Sequence, residues 1–201
     1  MPGLFEPLPG GGAAVALDPV EISIIRSLAV QLLELIGPGP GADSPQDPLA
    51  ELFADGPSEP PADPVLKRLF PDAYSDPEEA PHSPAEAEEW RAHSSEFRRY
   101  TENDLRAGKR DNALAVIRAL DALAPVDEGG AVLKLTPQDS QRWLGALNDL
   151  RLAIGIRLEI ADDDDTDLLY GLPDEDPRKP MVMAYLWLGG LQETLVHTLM
   201  P

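Results

Sequence analysis

The 201-residue chain contains no cysteine. That excludes disulfide scaffolds, thiolate metal sites and cysteine nucleophiles, and it leaves four methionines as the only oxidisable sulfur. Basic residues are scarce, with 16 Lys and Arg against 36 Asp and Glu. The resulting net charge of -20 sets up a field that repels phosphate backbones and anionic membrane surfaces, so neither nucleic acid nor membrane is an expected partner. No apolar run reaches the roughly 18 residues that a bilayer span requires, and Met1–Ala16 lacks the basic stretch of a signal peptide. The expected location is the cytoplasm. The length suits one domain, 1–201, because a single core usually serves about 100 to 200 residues.

What is abundant is proline and acid, and both are unevenly placed. Half of the 22 prolines lie between Pro38 and Pro81, where fixed φ and missing N–H groups prevent a continuous helix or central strand. Residues 37–64 hold six acidic and no basic residues, and 162–176 hold eight acidic and no basic. These two segments read as loops, with one short helix over Pro48–Ala54, and they carry most of the charge. The rest of the chain is only mildly acidic. No period of about 20 to 50 residues repeats, which sets aside solenoids and propellers.

The periodic segments indicate a mainly α fold: a compact bundle of five or six helices with a minor N-terminal β-hairpin and one further short strand. Leu4–Leu8 and Ala13–Leu17 flank Pro9-Gly10-Gly11-Gly12 as a hairpin. Asp18-Pro19 with Glu21 starts a helix that runs to Ile36, its stripe formed by Ile24, Leu28, Leu32 and Leu35 and widened by Ile25 and Leu33. Asp63-Pro64 starts a short helix that Pro71 closes. Ser83-Pro84 with Glu86 starts a helix to Ala107, whose larger apolar residues are Trp90, Phe97, Tyr100 and Leu105, and a separate helix follows over Lys109–Leu123. Ala131–Leu135 reads as a strand. Thr136-Pro137 with Asp139 then caps a helix to Ile160, with Trp143, Leu147, Leu150, Ile154 and Leu158 on one face. The final helix is Pro180–Met200, with Tyr185, Leu188, Leu191, Leu195 and Leu199 as its stripe.

Two clusters stand out as candidate sites. Asn148, Asp149 and Arg151 interrupt the apolar helix, where a buried polar group must find partners, and Gln192 or Glu193 of the last helix can supply them. Such a set is either a polar network or a ligand site. Lys67, Arg68, Phe70 and Tyr74 join a basic pair to aromatics beside a tight turn, as protein-binding surfaces do, or else anchor a helix end to the body. Catalytic patterns are missing. Asp162–Asp165 with Asp167 lack the glycine and the final Glu of a calcium loop, and Glu89 with His93 or Glu193 with His197 lack a second His at zinc spacing. There is no nucleophile elbow around Ser23 or Ser140, no phosphate loop and no dinucleotide fingerprint. No metal or cofactor is implied.

Trp143-Leu144, Asn148-Asp149-Leu150-Arg151-Leu152, Tyr185-Leu186-Trp187-Leu188 and Leu191-Gln192-Glu193 together resemble a bacterial family known as domain of unknown function 2017. Arg68-Leu69-Phe70-Pro71-Asp72 is similar to that family's middle motif. The resemblance implies a small, mainly helical cytosolic protein with no established reaction. Its members tend to be encoded beside the N-end-rule adaptor of the Clp protease and near a metalloprotease of the ubiquitin-hydrolase-like type, a neighbourhood that by association implies a link to protein turnover or sulfur-carrier processing. Some members are labelled transcriptional regulators, a role that the charge and the missing basic recognition helix oppose. The resulting expectation is a non-enzymatic interaction or regulatory protein whose partner is another protein; association of two copies stays open. The alternative is a small-molecule-binding protein or enzyme with a polar pocket between the two C-terminal helices.

Overall fold

The computed structural model describes residues 3–38, 55–74, 81–123, 130–161 and 169–200. These form three strands, β1 (Glu6–Pro7), β2 (Ala13–Leu17) and β3 (Ala131–Leu135), and five helices, α1 (Pro19–Ile36), α2 (Pro64–Leu69), α3 (Pro84–Asp121), α4 (Pro137–Arg157) and α5 (Lys179–Leu199). The fold is mainly α with an N-terminal hairpin and one further strand, as the sequence indicates. No helix among the described residues is long and apolar enough to cross a membrane. The expected helix over Pro48–Ala54 and the run Asp162–Asp165 with Asp167 lie outside the described residues. The chain divides into two units, Met1–Leu35 with Lys109–Pro201, and Ile36–Gly108.

The first unit is built by apolar packing. Its antiparallel sheet runs in the order β1-β2-β3, with Ala13 opposite Leu135 and Leu17 opposite Ala131. The two-residue side-chain period turns Ala13, Val15 and Leu17 of β2 inward, together with Ala131, Leu133 and Leu135 of β3. Gly12 has φ 88°, and a Cβ on it would lie 2.2 Å from the Leu135 carbonyl oxygen, so no other residue fits that turn. Phe5 is buried edge-on against Trp143 at 6.2 Å, and its N–H donates to the Thr194 hydroxyl at 3.1 Å. α4 begins where the sequence places it: the Thr136 hydroxyl accepts from the Asp139 N–H at 3.1 Å, a cap worth about 1 kcal/mol. Its face of Trp143, Leu147, Leu150, Ile154 and Leu158 is buried, and so are Leu188, Leu191 and Leu195 of α5. Each such side chain contributes about 1.5 to 3 kcal/mol.

Three boundaries or faces differ from expectation. α4 ends at Arg157, not Ile160, because Glu159 adopts φ 58° and the N–H groups of Glu159 and Ile160 turn back to the carbonyls of Ile156 and Gly155. In α1 the buried residues are Ile25, Ala29, Leu32 and Ile36, while Ile24 is exposed. Counting only large apolar residues skips Ala29 and rotates the stripe. The two helices expected on either side of Gly108 are one, since an internal glycine costs about 1 kcal/mol relative to alanine but keeps its N–H in the ladder.

The second unit contains α2 and the first part of α3, and its interior is partly ionic. Asp63 caps α2 by accepting from the N–H groups of Val65 at 2.8 Å and Leu66 at 3.0 Å. Val65, Leu69 and Phe70 are buried. On α3 the buried residues are polar, namely Ser94, Arg98 and Glu102, spaced one helical turn apart. Arg98 pairs with Glu102 and with Asp72, the latter at 2.7 Å, and donates to the Phe70 carbonyl at 3.0 Å. Arg106 pairs with Glu102 at 2.7 Å, donates to the Ile36 carbonyl at 2.8 Å and lies over the Phe70 ring at 4.4 Å. Burial alone would lower the Arg98 pKa, but Asp72 and Glu102 outweigh it and hold the guanidinium above its ordinary value.

Candidate functional site

Of the first cluster, Asn148 and Arg151 face α5 while Asp149 does not. At 100° per residue Asn148 and Arg151 stand 60° apart on the helix, and Asp149 stands 160° from Arg151. Arg151 donates to the Gln192 side-chain carbonyl at 2.7 Å, and the Gln192 amide donates in turn to Asn148 at 3.3 Å. The guanidinium also lies over the Tyr185 ring at 4.9 Å and reaches its hydroxyl at 3.4 Å. Asp149 is buried and accepts from the Lys109 ammonium at 2.6 Å. Burial pushes the Asp149 carboxyl above its ordinary pKa, with Lys109 opposing the rise. The five expected residues therefore split: Asp149 belongs to a buried ion pair, and the other four gather on the α4–α5 side.

That side opens into a cleft of about 500 Å³ lined by Arg151, Gln192 and Glu193 together with Tyr185, Gly189 and His197, which the sequence analysis did not assign to it. Their spacing on one helix, at 185, 189, 192, 193 and 197, is the signal that could have found them. Among the described residues no three metal-ligating side chains converge, here or elsewhere.

Of the second cluster, Phe70 is buried beneath Arg106 and serves the ionic interior, whereas Lys67 and Arg68 are exposed on α2. Tyr74 is half-exposed and meets a ring set on α3: His93 at 5.6 Å and Phe97 at 6.0 Å, both edge-on. With Tyr100 these line a shallow cleft of about 380 Å³. Phe97 is 44% exposed and Tyr100 63%, so α3 in this unit presents these two rings outward while it buries Arg98 and Glu102. Arg99 sits over the Tyr100 ring at 5.4 Å and pairs with Asp55 at 2.9 Å.

Comparison with known proteins adds two findings. A family model described as Domain of unknown function (DUF2017) matches residues 3–199. The chain is 39% identical over 84 residues to the oxidative stress regulator AosR of Mycobacterium tuberculosis and of Mycobacterium bovis, a stretch covering 42% of this chain and 37% of theirs. To the putative oxidative stress regulator AosR of Mycobacterium leprae it is 38% identical over 82 residues, 41% of this chain and 36% of the relative. The match thus spans little more than a third of the length of these relatives. No solved structure matches the chain.

Proposed function

The chain belongs to the DUF2017 family, and from that membership we propose a cytoplasmic regulatory protein that works by binding another protein, in a stress response of the kind for which its mycobacterial relatives are named. The observation that carries this reading is the outward ring set Tyr74, His93, Phe97 and Tyr100. Exposed large rings grouped on one helix face forgo burial within the chain, and such rings are the anchors that protein interfaces use most. The acidic chain makes DNA an unsuitable direct partner. With no cysteine in these 201 residues, no sulfenic acid or disulfide can form, so the chain acts as a responder to an oxidant signal and not as a thiol sensor.

The test is expression in a Mycobacterium bovis strain lacking its AosR, with a photo-crosslinking side chain at position 96, which lines the same cleft. Restored peroxide survival, with one cross-linked protein that is lost on Tyr100→Ser, is the expected result. Survival and cross-linking unchanged by Phe97→Ser with Tyr100→Ser, at an unaltered Tm, would sink the proposal.

A further inference from the structure

Arg151 differs from the other inward guanidiniums described above. Arg98 and Arg106 each meet a carboxylate, but the partners of Arg151 are a neutral amide carbonyl and a phenol. Among the described residues no carboxylate pairs with this half-buried cation, which is conspicuous in a chain of net charge -20, because a paired carboxylate would strengthen its hydrogen bonds. Gln192 occupies the place where a glutamate would neutralise it.

The helix beside it is built to stay open. Gly189 and Gly190 are adjacent in the interior of α5, where each is a poor helix former. A Cβ at Gly189 would lie 3.4 Å from the Arg151 Nε, an ordinary van der Waals contact, so the guanidinium lies directly against this turn of the helix. A Cβ at Gly190 would meet no atom within 4 Å, so packing gives no reason for glycine there. What its missing side chain leaves is a clear floor in the 500 Å³ cleft, with Leu186 and Val196 as apolar wall and the Tyr185 ring beside the cation. A volume of this size suits a small molecule.

We infer that this cleft binds a small organic carboxylate, its oxygens on the Arg151 guanidinium and its apolar body against Leu186, Val196 and Tyr185. Arg151 is held by the Tyr185 ring and by the Asn148–Gln192 hydrogen-bond chain, so its planar fork is oriented before a ligand arrives. Glu193 also lines the cleft, and its charge opposes an anion. Affinity should therefore rise when that charge is removed.

The experiment is a titration of the full chain with benzoate, read from the backbone amides of Gly189 and Gly190 and the Arg151 Nε–H in nitrogen-proton NMR spectra. Benzamide, the neutral analogue, and inorganic phosphate serve as comparison probes. Saturable shifts with benzoate alone are expected. Arg151→Gln should weaken binding roughly tenfold or more, as loss of a charge-assisted pair does. Gln192→Glu should abolish binding by supplying an internal carboxylate while keeping the guanidinium, and it stands in should Arg151→Gln lose helix content by circular dichroism. Gly190→Leu should block the floor, and Glu193→Gln should tighten binding. Equal shifts with benzamide, saturation by phosphate below the benzoate range, or benzoate binding unchanged in Gln192→Glu would each overturn the inference.

Discussion

The two units solve the same problem on one helix in opposite ways. In residues 36–108, α3 buries Ser94, Arg98 and Glu102 and leaves Phe97, Tyr100 and Leu105 outside; beyond Lys109 it buries Ala113, Val116 and Leu120. The first solution needs partners for every charge, which Asp72, the Phe70 carbonyl and Arg106 supply. Removing one partner strands the others, whereas trimming an apolar side chain leaves only a cavity. Hydrophobicity alone therefore does not decide which face of a helix is covered. Where little apolar surface is at hand, a paired ion cluster can be the buried face and rings are left for other uses.

This contrast is most sharply broken at Glu102. Glu102→Ala should cost about 3 to 5 kcal/mol in urea unfolding, since Arg98 and Arg106 lose their shared carboxylate. Replacing Arg98 by Met and Glu102 by Leu together should restore most of that, and a double variant as damaged as the single one would refute the ionic account. In the apolar unit, Leu188→Ala should cost about 2 to 5 kcal/mol through cavity formation, with no second substitution needed to explain it.

A finer distinction comes from Asp149, the carboxylate buried in the apolar unit. Its folded pKa is raised above the ordinary 3.8, chiefly by burial. The folded state then holds the proton more tightly than the unfolded one, so the stability from the protonated carboxyl is complete below pH 3.8 and lost as pH rises through the raised value. The Tm of the parent chain minus that of Asp149→Asn should accordingly fall with rising pH across that window; a rising difference would mean that Lys109 dominates. The smallest effect expected is at the end of α4, where Glu159→Gly should add about 0.4 to 1 kcal/mol by removing a side chain from a left-handed backbone position.

Much of this was legible in the chain itself, for reasons tied to particular residues. Asp63, Thr136 and Pro137 mark helix starts because capping is local chemistry, and the buried face of α4 follows from period alone. The end of α4 was missed because Glu159 occupies a position that glycine usually announces. The sequence names Phe97 and Tyr100 as larger apolar residues of α3 but not their exposure, since nothing local says that Arg98 will meet Asp72 across 26 positions. The α4–α5 cluster was legible as a polar set but not as two: separating Asp149 from Arg151 needed the helical angle and the distant Lys109, 40 positions away. Tyr185 is legible as part of the helix's apolar stripe and His197 as a neighbour of Glu193, but only their spacing with Gly189 places the three at one cleft.

The hydrogen bond from Phe5 to Thr194 joins positions 189 apart, and β2 has no outer neighbour until β3 exists. During synthesis the N-terminal hairpin therefore emerges long before the strand and helix that cover it, while residues 36–108 are made as one uninterrupted stretch. The open edge of β2 must wait until β3 has been translated, and the Phe5 N–H until Thr194 has.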